Sequence, residues 1–174
     1  RGMPEVDARS TGSSSDEEAE TRPKKTGQQE ALVAWVNSRV AQQPYAITVS
    51  NFGDSWSDGR AFLALLHSAS TELFKWEDVP PAGDPRISAE GNLDNAFKYA
   101  QSLLGLPPLL VASDVDPKRP NVQGIITYVS EIYRRVNELE AKSKEERDRK
   151  KKEAEEQERK RKEEEKVKRE REEE

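Results

Sequence analysis

The chain has 174 residues, of which 36% are charged and 33% hydrophobic, with a net charge of −5 and no cysteine. Disulfides and thiolate metal sites are thereby excluded, and the acidic balance argues against broad nucleic-acid binding. No apolar run approaches the roughly 20 residues that span a bilayer, and the N-terminus lacks the apolar core of a signal peptide, so the expected setting is soluble and cytoplasmic.

Charge and hydrophobicity are segregated along the chain. Apolar residues crowd between about Ala31 and Val136, while the C-terminal tail is nearly all Glu, Lys and Arg. A segment of about 110 residues buries roughly two thirds of the surface its unfolded chain exposes, enough for one core. The expected division is residues 1–25, a disordered acidic and Ser-rich linker; 26–137, the domain; and 138–174, a charged extension. In the linker, Ser13, Ser14 and Ser15 stand three residues before Asp16, Glu17 and Glu18, the pattern of an acidophilic-kinase site.

From Gln28 to about Gln42, Leu32, Trp35, Val36 and Val40 step by three and four, the spacing of one helical face. Tyr45 to Val49 is β-like but has no partner run, so an extended connector is expected there. Ser55 with Asp58 forms an S-x-x-D capping pattern, which predicts a helix beginning at Trp56. Phe62, Leu65, Leu66 and Ala69 share a face of that helix while Ala61, Leu63 and Ala64 fill much of the rest, the pattern of a helix surrounded by neighbours.

Leu73 to Trp76 reads as an apolar loop anchor, followed by the irregular run Pro80 to Pro85. A third helix is expected from near Asn92, with Leu93, Ala96, Phe97, Ala100, Leu103 and Leu104 on one face and Gly105 as its left-handed stop. Leu109, Leu110 and Val111 are expected to cover the core. Pro120 suits the first turn of a fourth helix, whose stripe Ile125, Ile126, Val129, Ile132, Tyr133 and Val136 should lie against the central one. Trp35, Phe62, Leu65, Leu66, Phe97, Ile126 and Val129 are the predicted core.

The strings N-F-x-x-S-W-S-D-G-x-A-F-x-A-L-L-H from Asn51 to His67 and G-I-I-T-Y-V-S-E-I-Y from Gly124 to Tyr133, with the stretch Asn92 to Leu110 between them, resemble a calponin-homology (CH) domain. The likeness runs from about Gln28 to Val136. It is greatest to the second CH domain of spectrin-, α-actinin- and dystrophin-type actin-binding regions. The resemblance implies an all-α fold of four main helices plus short helical turns, no enzymatic activity, and a cytoskeletal role with F-actin or another CH domain as partner. It also implies a subsidiary actin contact on the first helix, which here selects Gln29, Val33, Asn37 and Arg39. Basic residues that some members carry for phosphoinositide binding are replaced by Ser57 and by Ser68, Ala69 and Ser70, which leaves phosphoinositide binding unsupported. Two loop motifs of the family are also altered, at Thr71–Glu72 and at Val111 to Asp114.

The residues offer no chemistry of their own. His67 is the only histidine, and with no cysteine it reads as a structural group rather than a catalytic or metal-bound one. No cofactor is implied, since Asp58-Gly59-Arg60 is one glycine and not a phosphate loop. Trp35, Trp56 and Trp76 would need a basic groove to stack nucleic-acid bases, yet residues 26–137 hold 9 Lys and Arg against 12 Asp and Glu.

In the tail, acids repeatedly precede bases by four, as in Glu146 and Lys150, Glu156 and Lys160, or Glu158 and Lys162. Such pairs support a helix. Leu139, Ala154 and Val167 are almost the only candidates for a coiled-coil seam, so a single charged helix is expected in preference to a coiled-coil-like extension, with a disordered polyampholyte as the other alternative. From Lys144 to Glu174 the signs balance, 14 against 14. Two functions remain open: a module that binds F-actin weakly or helps another CH domain to do so, and a protein-interaction or autoinhibitory scaffold, including a microtubule-linked one.

Overall fold

The structure, a computed structural model, describes residues 25–84 and 88–173. The acidic linker before Lys25, with Ser13 to Ser15, lies outside them. Four helices, α1 (Lys25–Val40), α2 (Arg60–Ala69), α3 (Ala89–Leu104) and α4 (Val122–Glu172), alternate with single 3₁₀ turns at Asp54–Trp56, Trp76–Asp78 and Ala112–Val115. The fold is all-α, as the spacing implies.

The centre is α2, in which every residue from Ala61 to His67 is buried. It packs between α1 and α3, and α4 lies along α1 and α3. Reach from α4 to α2 comes through Tyr128, whose ring meets Phe62 edge-on at 5.8 Å and Phe97 at 5.4 Å. Leu65, Leu66, Ile125, Ile132, Val36 and Val40 complete a core with no solvent exposure. Trp35 and Ile126, expected inside it, are half-buried at its rim.

The start of α2 departs from the capping pattern. Asp54–Trp56 form a separate turn, and the helix begins only at Arg60, after Gly59 at φ 73°. Ser55 does not cap it; its hydroxyl accepts from the Ser50 amide at 3.2 Å. The reason is tertiary. A Cβ at position 59 would lie 2.8 Å from the Asn92 Cβ and 2.9 Å from the Leu93 nitrogen, so the chain enters α2 pressed against α3 in a conformation that only glycine accepts without strain. Asn92, buried on α3, locks this approach by donating to the Asp58 carbonyl at 2.9 Å. α3 itself starts earlier than its apolar face suggests, at Ala89, because Ser88 caps it with its Oγ accepting from the Gly91 amide.

Gly105 ends α3 at φ 60°, where its amide and that of Leu106 return to the Gln101 and Ala100 carbonyls. Beyond it the chain is extended, so the run Leu109 to Val111 alternates: Leu110 is buried, while Leu109 and Val111 are 51% and 61% exposed. Pro120 stands before α4 rather than in its first turn, because Asn121 caps the helix through the Gly124 amide. The extended connector after α1 takes its missing hydrogen bonds from a side chain. Asn37 accepts from the Val49 amide and donates to the Val49 carbonyl, both at 2.8 Å.

Candidate functional site

Gln29, Val33 and Asn37 are four residues apart and therefore share one face of α1. That face forms one wall of an open groove of about 700 Å³, whose other wall is the segment Ser50 to Asp54 with Val122 at the start of α4. The far wall is stiff. Asn51 Oδ1 accepts from the Gly53 amide at 2.9 Å, the Trp56 indole donates to the Asn51 carbonyl at 2.9 Å, and Phe52 stacks on Trp56 at 6.2 Å. Phe52 thus closes the floor while Val122, 45% exposed, stands on the rim. Glu30, Ala34 and Asp54 complete the lining, which holds no lysine or arginine.

Arg39 is not part of this groove. Two positions beyond Asn37, it points about 200° away around the helix, and its guanidinium lies 5.2 Å over the Trp35 ring. There it pairs with Glu140 of α4 and approaches the Ser68 hydroxyl at 3.4 Å. The four residues selected from the sequence therefore divide into three that line a groove and one that joins α1 to α4. Sequence reasoning missed Glu30, Ala34, Asp54 and Val122, and in the case of the last two no local pattern could have placed them opposite α1.

His67 sits in an aromatic nest. Its Nδ1 is 2.7 Å from the Tyr45 hydroxyl, with Phe74 and Trp76 beside the ring, and Trp76 in turn donates to the Pro44 carbonyl at 3.2 Å. Burial raises the Tyr45 phenol above its ordinary pKa, opposed by the nearby Arg39 charge. The arrangement fastens the loops at Pro44–Tyr45 and Phe74–Trp76 to α2.

The Calponin homology (CH) domain profile matches residues 26–138. The chain belongs to the calponin-homology family. It is 34% identical over 116 residues to Spectrin beta chain, erythrocytic, of Mus musculus, across 67% of this chain and 5% of that protein. To Alpha-actinin-4 of Homo sapiens it is 39% identical over 110 residues, across 62% of this chain and 11% of that protein. With Muscle-specific protein 300 kDa of Drosophila melanogaster it shares 32% over 122 residues, 70% of this chain but 1% of the relative. The CH segment thus spans a small fraction of each relative it matches. No described helix is long and apolar enough to cross a membrane.

Proposed function

We propose that this CH domain is a non-enzymatic cytoskeletal module of the second-domain type, which works in the cytoplasm and contributes to F-actin binding weakly or as the helper of another CH domain. Its likeness to Spectrin beta chain and Alpha-actinin-4 supports the cytoskeletal assignment. The observation that carries the contact is the shared groove: Gln29, Val33 and Asn37 line one accessible surface. The same surface sets the strength. Filamentous actin is acidic, Arg39 is held by Glu140, and the charged residues of the groove are Glu30 and Asp54, so steering by opposite charge is missing.

The full chain should co-sediment with filamentous actin with a Kd of roughly tens of micromolar or weaker, equivalent to about −6 to −7 kcal/mol. Val33→Asp, placing another acid in the groove, should abolish sedimentation, whereas Arg39→Gln should leave it within about twofold. Sub-micromolar binding, or binding that Val33→Asp does not change, would overturn this reading. The acid lining favours a second reading, in which the groove is a protein-interaction site for a partner other than the acidic filament.

A further inference from the structure

Some exposed acids are engaged, Glu131 and Glu138 by Arg134 and Glu140 by Arg39. Glu30 and Asp54, on opposite walls, make no ion pair and no side-chain hydrogen bond among the described residues. Between them lie the aliphatic surfaces of Val33, Ala34 and Val122 over the Phe52 floor. Of the groove's side-chain amides, those of Asn37 and Asn51 are occupied, by Val49 and Ser50, which leaves Gln29 as its one amide donor without a partner among the described residues. The groove therefore offers an apolar trough between two unneutralised negative charges.

We infer that the groove docks an amphipathic helix of a protein partner that presents leucine-like side chains flanked by lysine or arginine. This rests on the protein-interaction reading above and adds the chemistry of the occupant. Gln29 to Asn37 spans about 12 Å along α1, the rise of two helical turns, which matches side chains at i and i+4 or i+7 of a docked helix. Burying those side chains supplies the apolar contact. The cations beside them neutralise Glu30 and Asp54, and an acidic helix of the same shape would meet like charge on both walls. Stiffness of the far wall means that little ordering accompanies docking.

The test uses the full chain and two fluorescein-labelled 16-residue helical peptides that differ only in their flanks. One carries Leu at i and i+4 flanked by Lys; the other carries Glu at the flanking positions. Fluorescence anisotropy should show the lysine peptide binding at least about tenfold more tightly than the glutamate peptide. Glu30→Lys combined with Asp54→Lys should weaken the lysine peptide about tenfold and strengthen the glutamate peptide. Both sites are exposed, so circular dichroism and the melting temperature should be unchanged in the variant. Val33→Asp with the two acids intact should weaken the glutamate peptide further. Lysine-peptide binding that the double variant leaves intact would place the peptide outside the groove and overturn the inference. Tighter binding of the glutamate peptide to the native chain would overturn it as well, because both charged residues of the groove are acids. If neither peptide binds, the protein-interaction reading falls together with the inference.

Discussion

Between Ile125 and Val136, α4 turns Ile125, Tyr128, Val129, Ile132 and Val136 into the core, none more than 1% exposed. From Glu140 to Glu172 every side chain of the same helix is exposed. Both stretches repeat one backbone hydrogen-bonding pattern over 51 residues, about 76 Å, yet different forces hold them. The first is helical because burial of its stripe requires it. The second has no apolar face to bury and relies on propensity and ion pairs. Those pairs are unequal. Glu146–Lys150, Glu156–Lys160 and Glu158–Lys162, acid first, close to 2.7 Å, whereas Arg149–Glu153, Lys151–Glu155, Lys166–Glu170 and Lys168–Glu172, base first, stay at 3.7–3.9 Å. The closer order is the one that also complements the helix dipole. Continuous secondary structure thus joins two regions of unlike cohesion.

The sharpest way to break this comparison is to delete methyl groups on each side of it. Ile132→Ala removes a fully buried side chain and should cost about 2–5 kcal/mol through lost burial and the cavity left behind. Val167→Ala, at a site 42% exposed, should stay within about 0.5 kcal/mol. Urea midpoints followed by tryptophan fluorescence report the core directly, since Trp56 is fully buried. Equal midpoints for the two variants would mean that the halves of α4 do not differ as described.

The tail side is sharpened by salt and acid. A peptide of residues 137–174 should lose helical circular-dichroism signal between about 0.1 and 1 M salt, as the screening length falls from about 10 to about 3 Å. Hydrogen bonds from Lys150, Lys160 and Lys162 hold the carboxyls of Glu146, Glu156 and Glu158 below the ordinary carboxylate range. A depressed folded pKa contributes helix stability at pH values above the ordinary pKa of about 4.3, and that contribution disappears as pH falls through the depressed value. The helical signal should therefore be flat from pH 7 to about 5 and fall below about 4. It should also be independent of peptide concentration; a rise with concentration would reveal a coiled coil.

Legibility from the sequence follows the same division between local and distant causes. The stripes of α1, α3 and α4 are local periodicities, and the Gly105 stop lies at the end of one, so these elements could be read directly. The start of α2 could not, because the S-x-x-D pattern is local while the demand on Gly59 comes from Asn92, 33 positions on. Leu109 and Val111 were misplaced because a run of apolar residues does not reveal that an extended backbone turns only alternate side chains inward. At the candidate site, Gln29, Val33 and Asn37 follow from helical spacing once the CH likeness selects the first helix. Nothing near Arg39 announces a partner 101 residues away, and nothing near Asp54 or Val122 announces the wall opposite α1.

That distant partner is where the two halves of α4 meet, and it carries the smallest expected effect. Arg39 is 16% exposed and stacks on Trp35, whose ring meets Tyr133 edge-on at 4.9 Å, while Leu139 packs against the core one position before Glu140. The ion pair thus fastens the first turn of the tail to α1 just past the last buried contact. The pair itself, with Glu140 half-exposed, contributes about 0.2–1 kcal/mol, so Glu140→Arg should lower the urea midpoint little, and Arg39→Glu somewhat more because it also removes the stacking on Trp35. A double-mutant cycle isolates the pairing from the stacking on Trp35, because the combined swap restores opposite charges. Local opening should respond more than global unfolding. Amide hydrogen exchange between Leu139 and Ser143 should quicken in each single variant and slow again in the double, with exchange at Ile132 unmoved. If exchange in that turn ignores both charges, burial at Val136 and Leu139 alone sets where the core-held helix ends and the self-supporting one begins.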